Sequence, residues 1–300
     1  MKIANCKLQI LVLCLMVARA EAADKGTGLA WLKEVLGPRS AGMGGVAAAL
    51  TGDQVATGDN PGAVAALQGR DFLLAHQALF AGIRQEYVGA VFGNGRRGVG
   101  FGFAVRTSGG LERRTGPTAE PLGTFSVYDA DFSLRYAHRV SGVHVGAGLR
   151  ILHETVEAEG ASGVAFDFGG VARLPVPHLT AGVAMRHLGR MRGPGASSIR
   201  LPTGLQAGVV YATDFASGRD QVVIATEMEF PRAGEGTFRA GGEYVWRRLL
   251  AVRAGYEAGR DAQGGSFGFG VQRRGVRFDY ALTPYRYGLG NAHRVSIGFR

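Results

Sequence analysis

From residue 238 to residue 300 the chain alternates apolar and polar side chains with a period of two. Phe238, Ala240, Gly242, Tyr244 and Trp246 interleave with Arg239, Gly241, Glu243, Val245 and Arg247. Leu250, Val252, Ala254 and Tyr256 interleave with Ala251, Arg253, Gly255 and Glu257. Phe267, Phe269 and Val271 follow, then Val276, Phe278, Tyr280 and Leu282 against Arg277, Asp279 and Ala281. Val295, Ile297 and Phe299 close the chain. Successive side chains leave opposite faces of a pleated strand, so this period predicts strands rather than helix. Repetition in consecutive segments predicts a meander with one greasy face and one charged face.

The same pattern runs back toward residue 71. It predicts fourteen strands near 71–79, 84–93, 97–106, 125–138, 142–153, 161–173, 178–188, 199–212, 220–230, 236–247, 250–258, 265–273, 275–284 and 291–300. The first two are the least regular. A bilayer is crossed by about 9–11 tilted strand residues, and most of these segments reach that length. Connection lengths sort by parity. The even connections are short, at 94–96, 139–141, 174–177, 248–249 and 274, with 213–219 somewhat longer. The odd ones include 107–124, 189–198, 259–264 and 285–290. Short turns at one end and long loops at the other characterise outer-membrane barrels with an even strand count and both termini periplasmic. A soluble sandwich has no reason to sort its loops this way. The reading is therefore an all-β chain, a transmembrane antiparallel up-and-down barrel of about fourteen strands.

That choice decides which face is inside. Aromatic and aliphatic positions turn to lipid, and the charged ones to the lumen. Arg135, Arg150, Asp167, Glu227, Glu229, Arg239, Glu243, Arg253, Arg277 and Asp279 then face the lumen. Their structural role is pairing across strands and with whatever fills the barrel. A selectivity role would need a ring at one constriction. Val295, Ile297 and Phe299 form the lipid side of the last strand, an aromatic-ended pattern of the kind that barrel assembly machinery reads.

The start of the chain agrees with export. Lys2 and Lys7 precede an apolar run from Leu8 to Ala18, and Ala20-Glu21-Ala22 is a small-residue cleavage site. Residues 1–22 read as a secretory signal peptide. Cys6 and Cys14 both lie inside it, so disulfides, thiol catalysis and thiolate metal sites are excluded from the mature chain. Loss of Lys2, Lys7, Arg19 and Glu21 takes the formal charge from +10 to +8. Nucleic acid is the usual partner of a basic chain, but here the arginines are spread one or two per strand, so no nucleic-acid surface is expected.

Glycine is abundant, 49 of 300 residues, while only 10 prolines accompany it, which argues against disorder. Gly98, Gly100 and Gly102 share one strand face, and Gly268 and Gly270 another. Small inward residues make room for something inside. An eight-stranded barrel fills with side chains and one of sixteen or more leaves a channel, so fourteen strands enclose a lumen. Residues 23–70 do not read as strands. They hold a small apolar run, Val46 to Leu50, between the turn clusters Gly42-Met43-Gly44-Gly45 and Gly58-Asp59-Asn60-Pro61-Gly62. This segment is expected to sit in the lumen as a hatch, entering from a periplasmic N-terminus, with residues 71–300 as the barrel.

These residues also carry a resemblance. Pro38-Arg39-Ser40-Ala41-Gly42-Met43-Gly44-Gly45, then Asp53, then Asn60-Pro61, resembles the N-terminal signature of the PorV/PorQ family. That family belongs to a wider FadL-like group of fourteen-stranded barrels with an N-terminal hatch. Gly148-Leu149-Arg150, the run Ala161 to Asp167, and Leu201-Pro202-Thr203 resemble it too. One departure is Asn60-Pro61-Gly62-Ala63 where the family has Asn-Pro-Ala-Gly. The chain is short for the family, which implies trimmed external loops. The resemblance implies a hatch motif of Gly42, Met43, Gly44, Gly45, Asp53, Asn60 and Pro61. It implies outer-membrane transport or a barrel associated with type IX secretion that holds secreted cargo proteins. The alternative is a FadL-like channel for passive uptake of long-chain fatty acids or other small hydrophobic ligands. Expected partners are outer-membrane lipid, the barrel assembly machinery, and cargo or small hydrophobic ligands, with no cofactor.

Enzymatic readings find little purchase. Gly98-Val99-Gly100-Phe101-Gly102 lacks the following helix that a phosphate-binding glycine motif requires. His144 and His153, with Glu154 and Glu157, show no convergent metal-ligand spacing. A serine hydrolase on the outer wall would need histidine and serine at adjacent outward positions, and none is evident along any one strand.

Overall fold

The computed structural model describes residues 27–52, 58–117 and 119–300. The signal segment and Asp53 lie outside the described residues. Among the described residues fifteen strands form one antiparallel sheet. They are β1 Gln68–Ala78, β2 Arg84–Asn94, β3 Arg97–Arg113, β4 Gly123–Val140, β5 Val143–Val156, β6 Glu159–Arg173, β7 Leu179–Arg192, β8 Ser198–Arg200, β9 Gly204–Phe215, β10 Asp220–Pro231, β11 Thr237–Trp246, β12 Leu250–Ala258, β13 Gly265–Arg273, β14 Val276–Pro284 and β15 Asn291–Phe299. β1 pairs with both β2 and β15, from Phe72↔Phe299 to Ala78↔His293, so the sheet closes on itself. Closure gives every wall strand two partners and leaves no edge row of unpaired backbone. No helix among the described residues is long and apolar enough to cross a membrane.

Fourteen strands make the wall; β8 is an extra, three-residue strand. The period-two reading expected one strand over 199–212. Instead β8 pairs with β7 at Arg190–Arg192, Leu201-Pro202-Thr203 breaks the ladder, and β9 resumes pairing with β7 at Arg186↔Gly204. Proline has no N–H to give to a ladder, which accounts for the interruption. The first strand starts at Gln68, three residues earlier than expected, so the hatch segment ends at Leu67. The expected long loop 107–124 is largely strand. β3 and β4 continue pairing past a bulge at Gly109–Gly110, through Leu111↔Phe125 to Arg113↔Gly123. The β5–β6 connection is only Glu157-Ala158, the shortest of the odd connections. β3 to β6 therefore stand above the rest of the long-loop rim, with Arg113 and Glu157 ion-paired across them.

The two faces divide by chemistry. Phe72, Phe101, Phe132, Phe166, Ile224, Phe269, Phe278, Ile297 and Phe299 are exposed on the outside. Asp71, Asp131, Arg135, Arg150, Asp167, Glu227, Arg239, Glu243 and Asp279 are buried on the inside. A soluble fold would reverse this arrangement, because exposed aromatic surface on this scale is stable only against lipid or a partner.

Candidate functional site

The lumen is filled by the N-terminal segment, and its course corrects one expectation. Thr27 to Leu36 lies toward the long-loop end, not the short-turn end. Gly28 N–H donates to the Arg200 carbonyl at 3.0 Å, beside the β7–β9 loop. Glu34 pairs with Arg260 of the β12–β13 loop at 3.2 Å and with Arg294 near the start of β15 at 3.6 Å. Ala30–Lys33 is a short 3-10 turn. The chain then descends through a five-residue helix, Pro38–Gly42, and crosses the barrel through Val46 to Leu50. Pro61–Ala66, a second 3-10 turn, leads into β1 at the short-turn end.

Glycine explains how closely this segment approaches the wall. A Cβ on Gly255 or Gly241 would meet the Met43–Gly44 backbone at under 3.0 Å. The same is true of Gly182 against Ala48, Gly146 against Pro61, and Gly98 against Val64. Gly44, at φ +75, lies against the backbone of Tyr256 and Ala240. Only a residue without a side chain permits such contact, and only glycine adopts that φ freely. Gly268, the lumen glycine singled out by the sequence, faces Gly42.

Charge pairing holds plug and wall together at three levels. Arg239 contacts Glu227 at 2.9 Å, Glu229 at 2.5 Å and Glu257 at 2.9 Å. Glu227 also accepts from Ala47 N–H at 2.7 Å and Ala48 N–H at 2.6 Å. Below it, Glu243 is clamped by Arg39 of the plug at 2.7 Å and Arg253 of the wall at 2.6 Å. Arg253 continues to Asp279 at 2.8 Å, and Asp279 to Arg277 at 2.9 Å. On the opposite wall Arg150 bridges Asp131 and Asp167 and donates to the Gly58 carbonyl at 3.0 Å. Arg135 donates to Ser133 Oγ at 2.7 Å beside this cluster. Of the ten charged residues assigned to the lumen, nine form ion pairs on the inner face and Arg135 is buried there on Ser133.

Asn60 is the principal staple of the hatch motif. Its Oδ1 accepts from Gly62 N–H at 3.0 Å, and its Nδ2 donates to the carbonyls of Ala48 at 2.5 Å, Gly170 at 3.1 Å and Val183 at 3.3 Å. Pro61 follows as the first residue of the turn. Met43 is fully buried among Val46, Val210 and Val223, and Gly45 packs on Arg239.

Sequence reasoning missed Asp59 and Arg186, which pair at 2.5 Å. Arg186 and His187 both sit opposite Asp167 in a β7 bulge, with His187 at φ 57 and its N–H on Asp167 at 2.7 Å. A bulge inserts one residue into the ladder, so strict alternation hides it. The outer wall holds another feature that no single strand reveals. His153 Nδ1 is 2.8 Å from Ser162 Oγ across β5 and β6, with Thr155 Oγ1 at 3.2 Å from Nε2. The group beyond the histidine is a threonine hydroxyl where a hydrolase triad places a carboxylate. His144 Nε2 lies 3.1 Å from the Gly95 carbonyl, and no metal-binding cluster occurs among the described residues.

Near the long-loop end Leu29, Trp31 and Leu32 of the plug pack into an apolar core cluster. Its other members are Leu73, Ala75, Tyr87, Ala104, Leu152, Ala161, Ala165, Met191 and Leu201. On the short-turn side, a cavity of about 260 Å³ opens between plug and wall, lined by Arg39, Glu243, Arg253, Arg277 and Arg300.

No protein-family model matches the chain, and neither does any curated protein sequence. Solved structures do. A CymD monoaromatic hydrocarbon channel superposes with a TM-score of 0.63 at 14% identity, covering 88% of this chain and 96% of its own. The Ralstonia pickettii toluene transporter TbuX gives 0.61 at 15%, covering 89% and 97%. The Pseudomonas putida toluene transporter TodX gives 0.62 at 12%, covering 93% and 98%. At these identities the likeness is one of fold: a closed fourteen-stranded antiparallel barrel.

Proposed function

We propose that this chain is an outer-membrane channel for passive uptake of small hydrophobic molecules, with its N-terminal segment as the gate. The observation that carries this reading is the apolar cluster at the long-loop end of an otherwise charge-lined barrel, where plug residues Leu29, Trp31 and Leu32 pack on apolar wall residues. A pocket for such molecules has mostly apolar walls with a few polar groups. The named activities of the fold neighbours favour hydrophobic cargo over secreted protein. The PorV/PorQ resemblance and a type IX role gain no comparable support. Long-chain fatty acids remain within the proposed substrate class alongside aromatic hydrocarbons. Outer-membrane location, and contact with lipid along the aromatic face, belong to the same proposal.

The test has two arms. Cells lacking other hydrocarbon channels but producing this protein should accumulate radiolabelled toluene faster than cells with an empty vector. In planar bilayers the mature protein should show little steady conductance, while a deletion of residues 42–61 should form large open pores. No gain in uptake of toluene or of oleate would overturn the channel reading. Equal conductance of the parent and a correctly folded deletion would remove the gate.

A further inference from the structure

Two neighbouring rows of inward residues at the long-loop end differ in chemistry. One row runs across the wall through Ala75, Tyr87, Ala104, Asp131, Leu152 and Met191, joined by strand register and by Gly163. Apart from Asp131 it is apolar, and Trp31 packs in the same cluster. The next row toward the rim reads Gln77, Gln85, Arg106, Asp129 and Glu154. It is polar throughout.

The polar row holds unused hydrogen-bonding capacity. Gln85 is 1% exposed, and neither its Oε1 nor its Nε2 has a hydrogen-bond partner among the described residues. Asp129 Oδ1 and Arg106 Nε are in the same condition, and so is Trp31 Nε1 in the apolar row below. A buried amide with both ends unmet costs free energy that a bound partner would recover. Gln77, by contrast, is satisfied by Leu36 and Arg294, at 2.8 and 3.0 Å. The available donor and acceptor therefore sit at Gln85, one inward position beyond Tyr87 on β2.

We infer that this apolar cluster, once Trp31 withdraws from it, binds a neutral aromatic molecule carrying one hydroxyl or N–H group, of the phenol or indole class. Its ring takes the place that Trp31 fills in this structure, and its polar group pairs with the Gln85 amide. Charge argues against an anionic head. Asp129 stands between Arg106 and Glu154 in the ladder, two carboxylates to one guanidinium. Arg294, the next cation, is engaged by Glu34, Gln77 and Thr283. This inference rests on the channel reading and narrows its substrate class.

Toluene, p-cresol and p-toluate share a ring and differ only in the polar group, so they separate the possibilities. Binding is measured calorimetrically on the full mature chain in detergent micelles. In parallel, Trp31 emission is followed in a Trp246→Phe background, the chain having two tryptophans. p-Cresol should bind about ten-fold more tightly than toluene or p-toluate, the worth of one added buried hydrogen bond. It should also shift Trp31 emission to the red as the indole leaves the cluster. Gln85→Leu should reduce p-cresol affinity to that of toluene and leave toluene unchanged. Its heat-modifiable migration on gels reports that the barrel is folded. Equal binding of toluene and p-cresol by the parent protein would overturn the polar subsite and spare the channel. Tightest binding of p-toluate would overturn the neutral head. No binding of any of the three, together with no toluene uptake by cells, would overturn both.

Discussion

At the scale of single residues, glycine does as much as any charged group. Gly255 has no space for a side chain because the Met43–Gly44 backbone lies against it. Gly255→Val should therefore expel that stretch of the plug while leaving the wall ladder intact. The expected result is a folded barrel, by gel migration, with conductance raised toward that of the plug deletion. Gly265→Val is the control, since a Cβ there meets nothing within 4 Å. If both variants conduct like the parent, the plug does not depend on this contact. Wall glycines were legible as room for something inside. Which backbone atoms would occupy that room was not, because a missing side chain leaves no pattern naming its neighbour. Asn60 shows the complement. Its place before Pro61 marked a turn, yet its hydrogen bonds to Gly170 and Val183 join positions more than 100 residues apart.

Among elements, β10 to β12 carry the strongest test of internal electrostatics. Arg239 neutralises three glutamates supplied by β10 and β12 and lies fully buried. Arg239→Met leaves those carboxylates without their cation. Breaking a buried pair in this way costs about 3–5 kcal/mol, against far less when both partners are removed. Urea unfolding in detergent micelles should show that loss for the single change. Arg239→Met combined with Glu227→Gln and Glu229→Gln should recover part of it. A single variant as stable as the parent would show that water, not Arg239, compensates these groups. The outer side of β14 tests the opposite face. Phe278→Arg should cost about 2–4 kcal/mol if that position lies near mid-bilayer. Refolding into lipid vesicles measures this against Tyr287→Arg, a change at a loop residue that is 77% exposed. Equal effects would mean that Phe278 does not face lipid.

The whole molecule depends on closure by its two ends, β1 and β15. Val295, Ile297 and Phe299 are the outward residues of the closing strand, and Phe299 stands opposite Phe72. If this pattern is the signal for assembly machinery, Phe299→Ala should lower the folded yield in cells several-fold. Refolding of the purified chain in detergent should change little, because one truncated outward ring removes only part of the strand's apolar area. Equal loss in both settings would assign Phe299 a purely structural role.

The sequence by itself determined the wall. Period-two alternation is local, so each strand announces its span and its two faces without knowledge of its partners. The parity of connection lengths then shows how consecutive strands are joined. Fourteen wall strands, the outward aromatics and the inward charges were all within reach of that local rule. The tertiary structure decided what local rules cannot encode. It decided that residues 27–36 lie near the long-loop end, that Pro202 splits the eighth wall segment, and that the β7 bulge buries both Arg186 and His187. It also paired Asp59 with Arg186, and joined His153 to Ser162 across strands. Each of these depends on contacts between residues far apart in the chain, set by closure of the barrel and by the space left inside it. Period fixes which way a side chain points, but only the closed wall and its filling determine what that side chain meets.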